Sequence, residues 1–456
     1  MTRPTTPRSA FALALAVALA LPIGLARPTT VDAATTYRFV STTGSDSWSG
    51  SSTRPWRTIQ HAVDYSPAGT VIGVRTGKYP HFVVRRSGLT VRPAGTSSVT
   101  VYGSKYVVRF LGVTSGTVRG LFITGAPYQY GSGVRVEASS NVLIDGNTIY
   151  GNHSFGIKVK DSTNTLIRGN RIYKNDTGIE LAGAVAGTNI YGNQIHHNDR
   201  MVDSGRGGNG IVFAVTTGAV SVQANKLWTN RARHTNGVGY DGGAFEVYGS
   251  SDLLIRNNSV WDNNNVMETG TDGVHPCARI TFTRNLIRGR STVAGETKGL
   301  ILRCAADSLI AHNTIDTIDD FAFYVEQSSA YAGSIDGLRI ADNIVYLTRA
   351  YSLKTGLPST ISIDHDLIRP GGTAPYATRV AYIEGLPDPT IETLTELRIV
   401  SPYGDHSLQA DPRFVDRNNG VYTLRSDSPA IDHGVQVTSD PYSGAAPDIG
   451  KYEYVP

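Results

Sequence analysis

One asparagine recurs through the middle of the chain, always between the same two apolar neighbours. Aligned on it, the chain reads "LIDGNTIYGN", "LIRGNRIYKN", "NIYGNQIHHN", "SVQANKLWTN", "LIRNNSVWDN", "TFTRNLIRGR", "LIAHNTIDTI" and "RIADNIVYLT". The shared residues are Asn147, Asn170, Asn193, Asn225, Asn258, Asn285, Asn313 and Asn343. An apolar residue stands three places before each (Ile144 and Ile167 in the first two units) and another two places after (Ile149 and Ile172). The spacings are 23, 23, 32, 33, 27, 28 and 30, so the unit keeps a fixed core while one part of it accepts insertions. A repeat of this length, patterned with period two and lacking a helix of its own, cannot bury its apolar side alone. It buries it by stacking on its neighbours, which predicts an all-β solenoid with three strands per coil. Each coil reads as strand, asparagine turn, strand, variable loop, strand, short turn. Stacked asparagines can hydrogen-bond one another along the axis, so a polar residue is tolerated at an inward corner. A second column, Asn152, Asn175, Asn198, Asn230 and Asn263, follows five residues later in the first five units.

The start of the chain predicts export. Arg3 and Arg8 precede an apolar run from Ala10 to Ala26, and Val31-Asp32-Ala33 has the small alternating residues that signal peptidase accepts, giving a signal over 1–33. The run is short for a membrane span and no later segment is long enough to be one, so no membrane association is expected after cleavage. Losing three arginines and one aspartate lowers the formal charge from +4 to +2, which gives no case for a nucleic-acid partner. The full chain, rich in glycine (49 residues), suits short strands joined by tight turns. We expect one continuous domain: an N-terminal cap and first coils over 34–95, regular coils over 96–357, and irregular final coils with a C-terminal cap over 358–456.

The third strands read "GIKVK", "GIELA", "GIVFA", "AFEVY", "VMETG", "GLILR", "AFYVE" and "AYSLK". Alternation points Phe245 and Met267 inward and Glu246 and Glu268 outward, as same-face neighbours on adjacent coils. Strands in such a stack lie about 4.8 Å apart. Two carboxylates at that spacing repel, which costs stability unless they serve a purpose. Retaining glycosidases hold their two carboxyl groups about 5–5.5 Å apart, and the pair would equally serve as oxygen ligands for Ca²⁺. The plain alternative is a solvated face with a nearby Arg or Lys partner. The longest variable loops, 199–209, 231–243 and 289–298, all precede third strands and should wall the same face. They bring Asp241 as a third acid, or merely as a turn residue before two glycines. Tyr240, His234, Arg206 and Lys298 come from the same loops as substrate contacts, and Tyr248 and Arg303 from the outward face. Arg303 has two readings, binding a substrate anion or pairing with Glu326 beside it.

The pattern resembles the right-handed parallel β-helix of the pectate lyase-like superfamily. The opening "YRFVSTTGSDSWSGSSTRPWRTIQHAVDYSPAGTVIGVRTGKY" is similar to that of secreted members in which a short amphipathic helix, here about Thr58 to Tyr65, plugs the first coil. The ending "DPRFVDRNNGVYTLRSDSPAIDHG" with "DIGKYEY" is similar to a terminal segment of bacterial β-helix proteins. The resemblance implies a polysaccharide substrate and a cleft along the third strand. In the Ca²⁺-dependent lyases of this fold a catalytic lysine follows the glutamates within a few residues; "FEVYGSS" and "METGTDG" lack one. Carboxylate-based hydrolysis by Glu246, Glu268 and Asp241, needing no cofactor, therefore leads. Ca²⁺-assisted β-elimination and non-catalytic glycan binding remain as alternatives. A single secreted chain without partner subunits is expected. Cys277 and Cys304, nearly in register on adjacent coils, should form a disulfide in an exported protein. "DRNNG" (416–420) resembles part of a calcium loop but is first a turn signal, and no His or Cys spacing matches a zinc motif.

Overall fold

In the computed structural model the expected coils stack into a right-handed parallel β-helix. It describes residues 36–201, 207–234, 239–289, 297–327, 333–372 and 376–456; the predicted export signal and Arg206 lie outside these. Among the described residues, three sheets of thirteen strands run the length of the solenoid. The first begins at Tyr37–Val40 and ends at Ser362–Asp364, and carries the strand before each corner asparagine. The second, from Gly77–Pro80 to Leu408–Gln409, carries the strand after it, and the third holds the strands that follow the variable loops. Neighbouring strands pair in parallel, as in Ile144↔Ile167 and Ile149↔Ile172, until an antiparallel pair closes the third sheet at Ala381–Glu384 and Thr390–Ile391. No described helix is long and apolar enough to cross a membrane.

Matching register puts like upon like. Ile144, Ile167, Ile190, Val222, Ile255, Phe282, Ile310 and Ile340 form one fully buried column of a continuous core, each side chain contributing about 1.5–3 kcal/mol on burial. At the corner, each asparagine Oδ1 accepts from the backbone N–H and the Nδ2 of the asparagine one coil earlier, at 2.9–3.0 Å from Asn147 through to Asn343. Nδ2 also donates to a backbone carbonyl, as Asn258 does to Val222. The second column is bonded likewise from Asn152 to Asn263.

The ladder has one more rung. Asn343 donates its backbone N–H and Nδ2 to Asp366 Oδ1 at 2.7 and 3.0 Å. Asp366 has the required apolar neighbours, Ile363 and Ile368, but not the amide. It is fully buried and its other oxygen accepts from Tyr351 Oη at 2.6 Å. Burial, more than anything around it, pushes its carboxyl up to about 7.

The residue before each rung is left-handed, with φ of 52–64° from Gly146 to His365. Glycine fills this position at 146, 169 and 192, where it costs least. Later coils place Arg284, His312 and Asp342 there, and the C-terminal segment uses them. Arg284 binds Asp440 (2.9 Å) and Glu453 (3.2 Å), His312 bonds the Asp448 carbonyl, and Asp342 accepts from the Val435 and Gly450 N–H groups. This segment thus straps the outside of the corner as far back as Arg256, which also holds Asp440 at 3.0 Å.

At the other end α1 (Ile59–Tyr65), N-capped by Thr58, buries Ile59, Ala62 and Val63 against the first coil, as expected. A second helix, α2 (Leu394–Val400), was not legible as periodicity; its signal is the Thr393/Glu396 capping box. Cys277 and Cys304 form the expected disulfide across adjacent coils, with Cα atoms 5.2 Å apart. "DRNNG" is a single turn in which Asp416 caps Asn419 and Gly420 is left-handed. Outside the second sheet Tyr150, Tyr173, His196, Trp228 and Trp261 stack with centroids 4.1–5.3 Å apart.

Candidate active site

Glu246 and Glu268 lie in the strands Gly243–Tyr248 and Asn265–Gly270 and are direct register partners. Phe245 and Met267 are buried, and both acids are half-exposed on the outer face of the third sheet, as alternation requires. Within the loop 231–243, Ala232–Arg233 pairs antiparallel with Tyr240–Asp241 as a short ribbon, and His234 N–H donates to the Gly239 carbonyl. At its base, a Cβ on Gly242 would stand 2.3 Å from the Gly208 carbonyl oxygen, so only glycine lets this loop press on its neighbour. The ribbon delivers Asp241 to a small cleft it lines with Glu246, Glu268, Asn209 and Asn265.

The two carboxylates are not bare. Asn209 Nδ2 donates to Glu246 Oε2 at 2.7 Å, and Asn265 Nδ2 to Glu268 Oε2 at 3.1 Å. Arg303 places Nη1 2.8 Å from Glu268 Oε1 and Nε 3.1 Å from Glu326 Oε2. Of the two readings of this arginine, the pairing with Glu326 is present, and the bond to Glu268 makes it also the nearby Arg partner of the plain alternative for the acidic pair. The row continues with Lys354, 2.8 Å from Glu326 and 3.7 Å from Glu384. Burial alone would raise the Glu326 carboxyl, but hydrogen bonds from Lys354, Tyr324 and Arg303 hold it below its usual range. Burial and the bond to Glu326 raise the Tyr324 phenol.

The remaining expected residues surround the cleft unevenly. Asp241 does shape its turn, Oδ1 accepting from Gly242 N–H at 2.8 Å, while also facing the cleft. Tyr248 is 37 % exposed over Gly270, where a Cβ would touch its ring at 3.8 Å. Tyr240 lies under the Arg231 guanidinium, 5.6 Å from the ring centroid. His234 sits toward the ribbon tip, away from the acids' strands. Lys298 begins the next third-sheet strand, exposed, as register partner of Asn265. Asn209 and Asn265 escaped sequence reading because asparagine was already explained by the ladders; their shared register column, Asn209↔Gly243↔Asn265, was the available signal. A larger cavity of about 680 Å³ lies elsewhere, between the second sheet and the C-terminal hairpin. Its one carboxylate, Asp316, is bound by Arg417 and Tyr422, so it offers no acid pair.

Comparison with known proteins agrees with this architecture. Residues 87–260 match the family model of the right handed beta helix region, and residues 42–104 match a protein family of unknown function, DUF1565. Two solved structures superpose over most of the chain. XylC in complex with xylose does so with a TM-score of 0.57 and 11% identity, covering 83% of this chain and 87% of its own. Pectate lyase Pel9A does so with a TM-score of 0.51 and 13% identity, covering 92% and 96%. No curated protein matches the sequence. By its coils, its register and the match over residues 87–260, the chain has the right-handed parallel β-helix fold, which it shares with XylC and pectate lyase Pel9A.

Proposed function

We propose that the protein is an exported, single-chain enzyme that hydrolyses glycosidic bonds of an extracellular polysaccharide at the third-sheet cleft. The observation that carries this reading is the register pairing of Glu246 with Glu268, with Asp241 lining the same cleft. Adjacent rungs stand about 4.8 Å apart, nearer the ~5–5.5 Å of a retaining pair than the ~6.5–9.5 Å of an inverting one. In this scheme Glu268, oriented by Arg303 and Asn265, attacks the anomeric carbon. The bond to the leaving sugar breaks as Glu246 gives its proton to the glycosidic oxygen. Glu246 then takes a proton from water, whose oxygen displaces Glu268 and releases the second product. Asp241 positions the sugar or the water, Tyr248 and Tyr240 pack against sugar C–H faces, and His234 and Lys298 contact the flanking units. The disulfide suits an oxidising compartment.

Calcium fits this cleft poorly. Arg303 already supplies a positive charge at Glu268 Oε1, so a cation there would meet a like charge and an oxygen already engaged. We derive no step through it. A second reading, β-elimination, draws on Lys298 one coil beyond Glu268, with Arg303 facing a uronate.

A polysaccharide panel read for new reducing ends and for absorbance at about 235 nm tests the proposal. Reducing ends without absorbance support hydrolysis, both together support elimination, and neither across the panel supports a binding protein. Full activity in both Glu246→Gln and Glu268→Gln would overturn the site.

A further inference from the structure

We propose that Asp364, His365 and His406 bind one divalent transition-metal ion of the zinc type, fastening the last coil to the loop that follows α2. Asp364 ends the final strand of the first sheet, His365 occupies the left-handed corner at φ 58°, and His406 arrives from the far side of α2. One ligand atom from each residue lies within 4.8 Å of the other two. His406 Nδ1 is 2.6 Å and His365 Nδ1 3.4 Å from the same oxygen, Asp364 Oδ2. The two imidazoles are nearly parallel, with centroids 4.7 Å apart at 18°. An ion about 2.0–2.2 Å from each donor requires donors roughly 3–3.5 Å apart, a range that the 2.6 and 3.4 Å separations from Asp364 Oδ2 bracket.

The backbone holds this geometry from both sides. His406 N–H donates to Asp364 Oδ1 at 2.7 Å and Gly404 N–H to the Ile363 carbonyl at 2.9 Å. Beyond it, Asp366 N–H donates to Ser407 Oγ at 3.1 Å and Leu408 N–H to the Asp366 carbonyl at 2.8 Å. The loop cannot swing away without breaking all four, so the third ligand is pre-organised. Two imidazole nitrogens and one carboxylate oxygen suit Zn²⁺, Ni²⁺ or Cu²⁺ and not Ca²⁺, which takes oxygen ligands. His406 is 67% exposed, leaving water to complete the coordination. No local motif announces the set, because His365 and His406 are 41 positions apart and meet only when the coil closes.

Isothermal titration of the untagged, chelator-treated full chain with Zn²⁺ tests this. The expected result is one ion per chain, a rise in Tm with Zn²⁺ but not Ca²⁺, and at least tenfold weaker binding in His365→Ala and in His406→Ala. Circular dichroism should stay unchanged in both variants. With Co²⁺ as probe, visible d–d absorption should appear in the parent protein and vanish in His406→Gln. No saturable Zn²⁺ binding, or binding that both alanine variants retain, overturns the site. None of these readouts depends on glycan cleavage, so the result stands apart from the fate of the third-sheet cleft.

Discussion

Two faces of the same coils follow opposite rules. At the corner between the first and second sheets, eight asparagines and one aspartate occupy successive rungs, and each buried amide satisfies its neighbour. On the outer face of the third sheet, the equivalent row runs Lys158, Glu180, Val212, Glu246, Glu268, Ile301, Tyr324 and Ser352, with no residue type sustained. A ladder is saturated by its own repetition and has nothing left for a ligand. A row that changes at each step places unlike groups about 4.8 Å apart, as a reacting site needs. Repetition stabilises this molecule, and departure from repetition is where its chemistry is sought.

The contrast can be broken in decreasing order of effect. Replacing Glu268 by Gln on the variable face should lower the cleavage rate about 10³-fold, some 4 kcal/mol of barrier, with the thermal midpoint unchanged; steady-state kinetics beside calorimetry checks both halves. Asn258→Ala on the repetitive corner should do the reverse. It leaves the Asn225 N–H and Nδ2 and the Val222 carbonyl without their partner, costing on the order of 3 kcal/mol in urea unfolding, while activity per folded molecule holds.

Titration should come next. Burial raises Asp342 to about 8 and Asp366 to about 7, so the folded chain keeps protons that the unfolded chain has released. Their stabilisation is full below the ordinary carboxylate range and is lost as pH rises through those values. His196 and His312, lowered to about 4 chiefly by burial, act oppositely between about 4 and 6.5. The net decline should therefore emerge between about pH 6.5 and 8, at up to ~1.4 kcal/mol per unit and group. Unfolding at several pH values measures it, and Asp342→Asn should flatten the curve. Smallest, Tyr248→Ala should raise KM severalfold, about 1 kcal/mol of sugar stacking, and leave stability alone.

Much of this was written in the chain. The ladder was legible because its hydrogen-bond stoichiometry demands one residue type, and the outward placing of Glu246 and Glu268 because strand alternation permits no other when Phe245 and Met267 are buried. Asp366 was hidden by its changed side chain, although Ile363 and Ile368 kept the flanking pattern. Arg303 was visible beside Glu326, but its bond to Glu268 depends on side-chain reach across coils, which register alone does not fix. The strap was illegible for a different reason: Asp440 meets Arg256 and Arg284 across 184 and 156 positions, and no local pattern encodes a partner so remote.

That strap alters how the array should come apart. A linear stack of coils ordinarily frays from either end, because each coil knows only its neighbours. Here residues 435–453 clasp the corner residues Asp342, His312, Arg284 and the earlier Arg256. Melting of the carboxyl-terminal coils therefore cannot stay local: once the clasp lifts, coils well inside the array lose their outer bonds together, and the later half of the solenoid yields as one block.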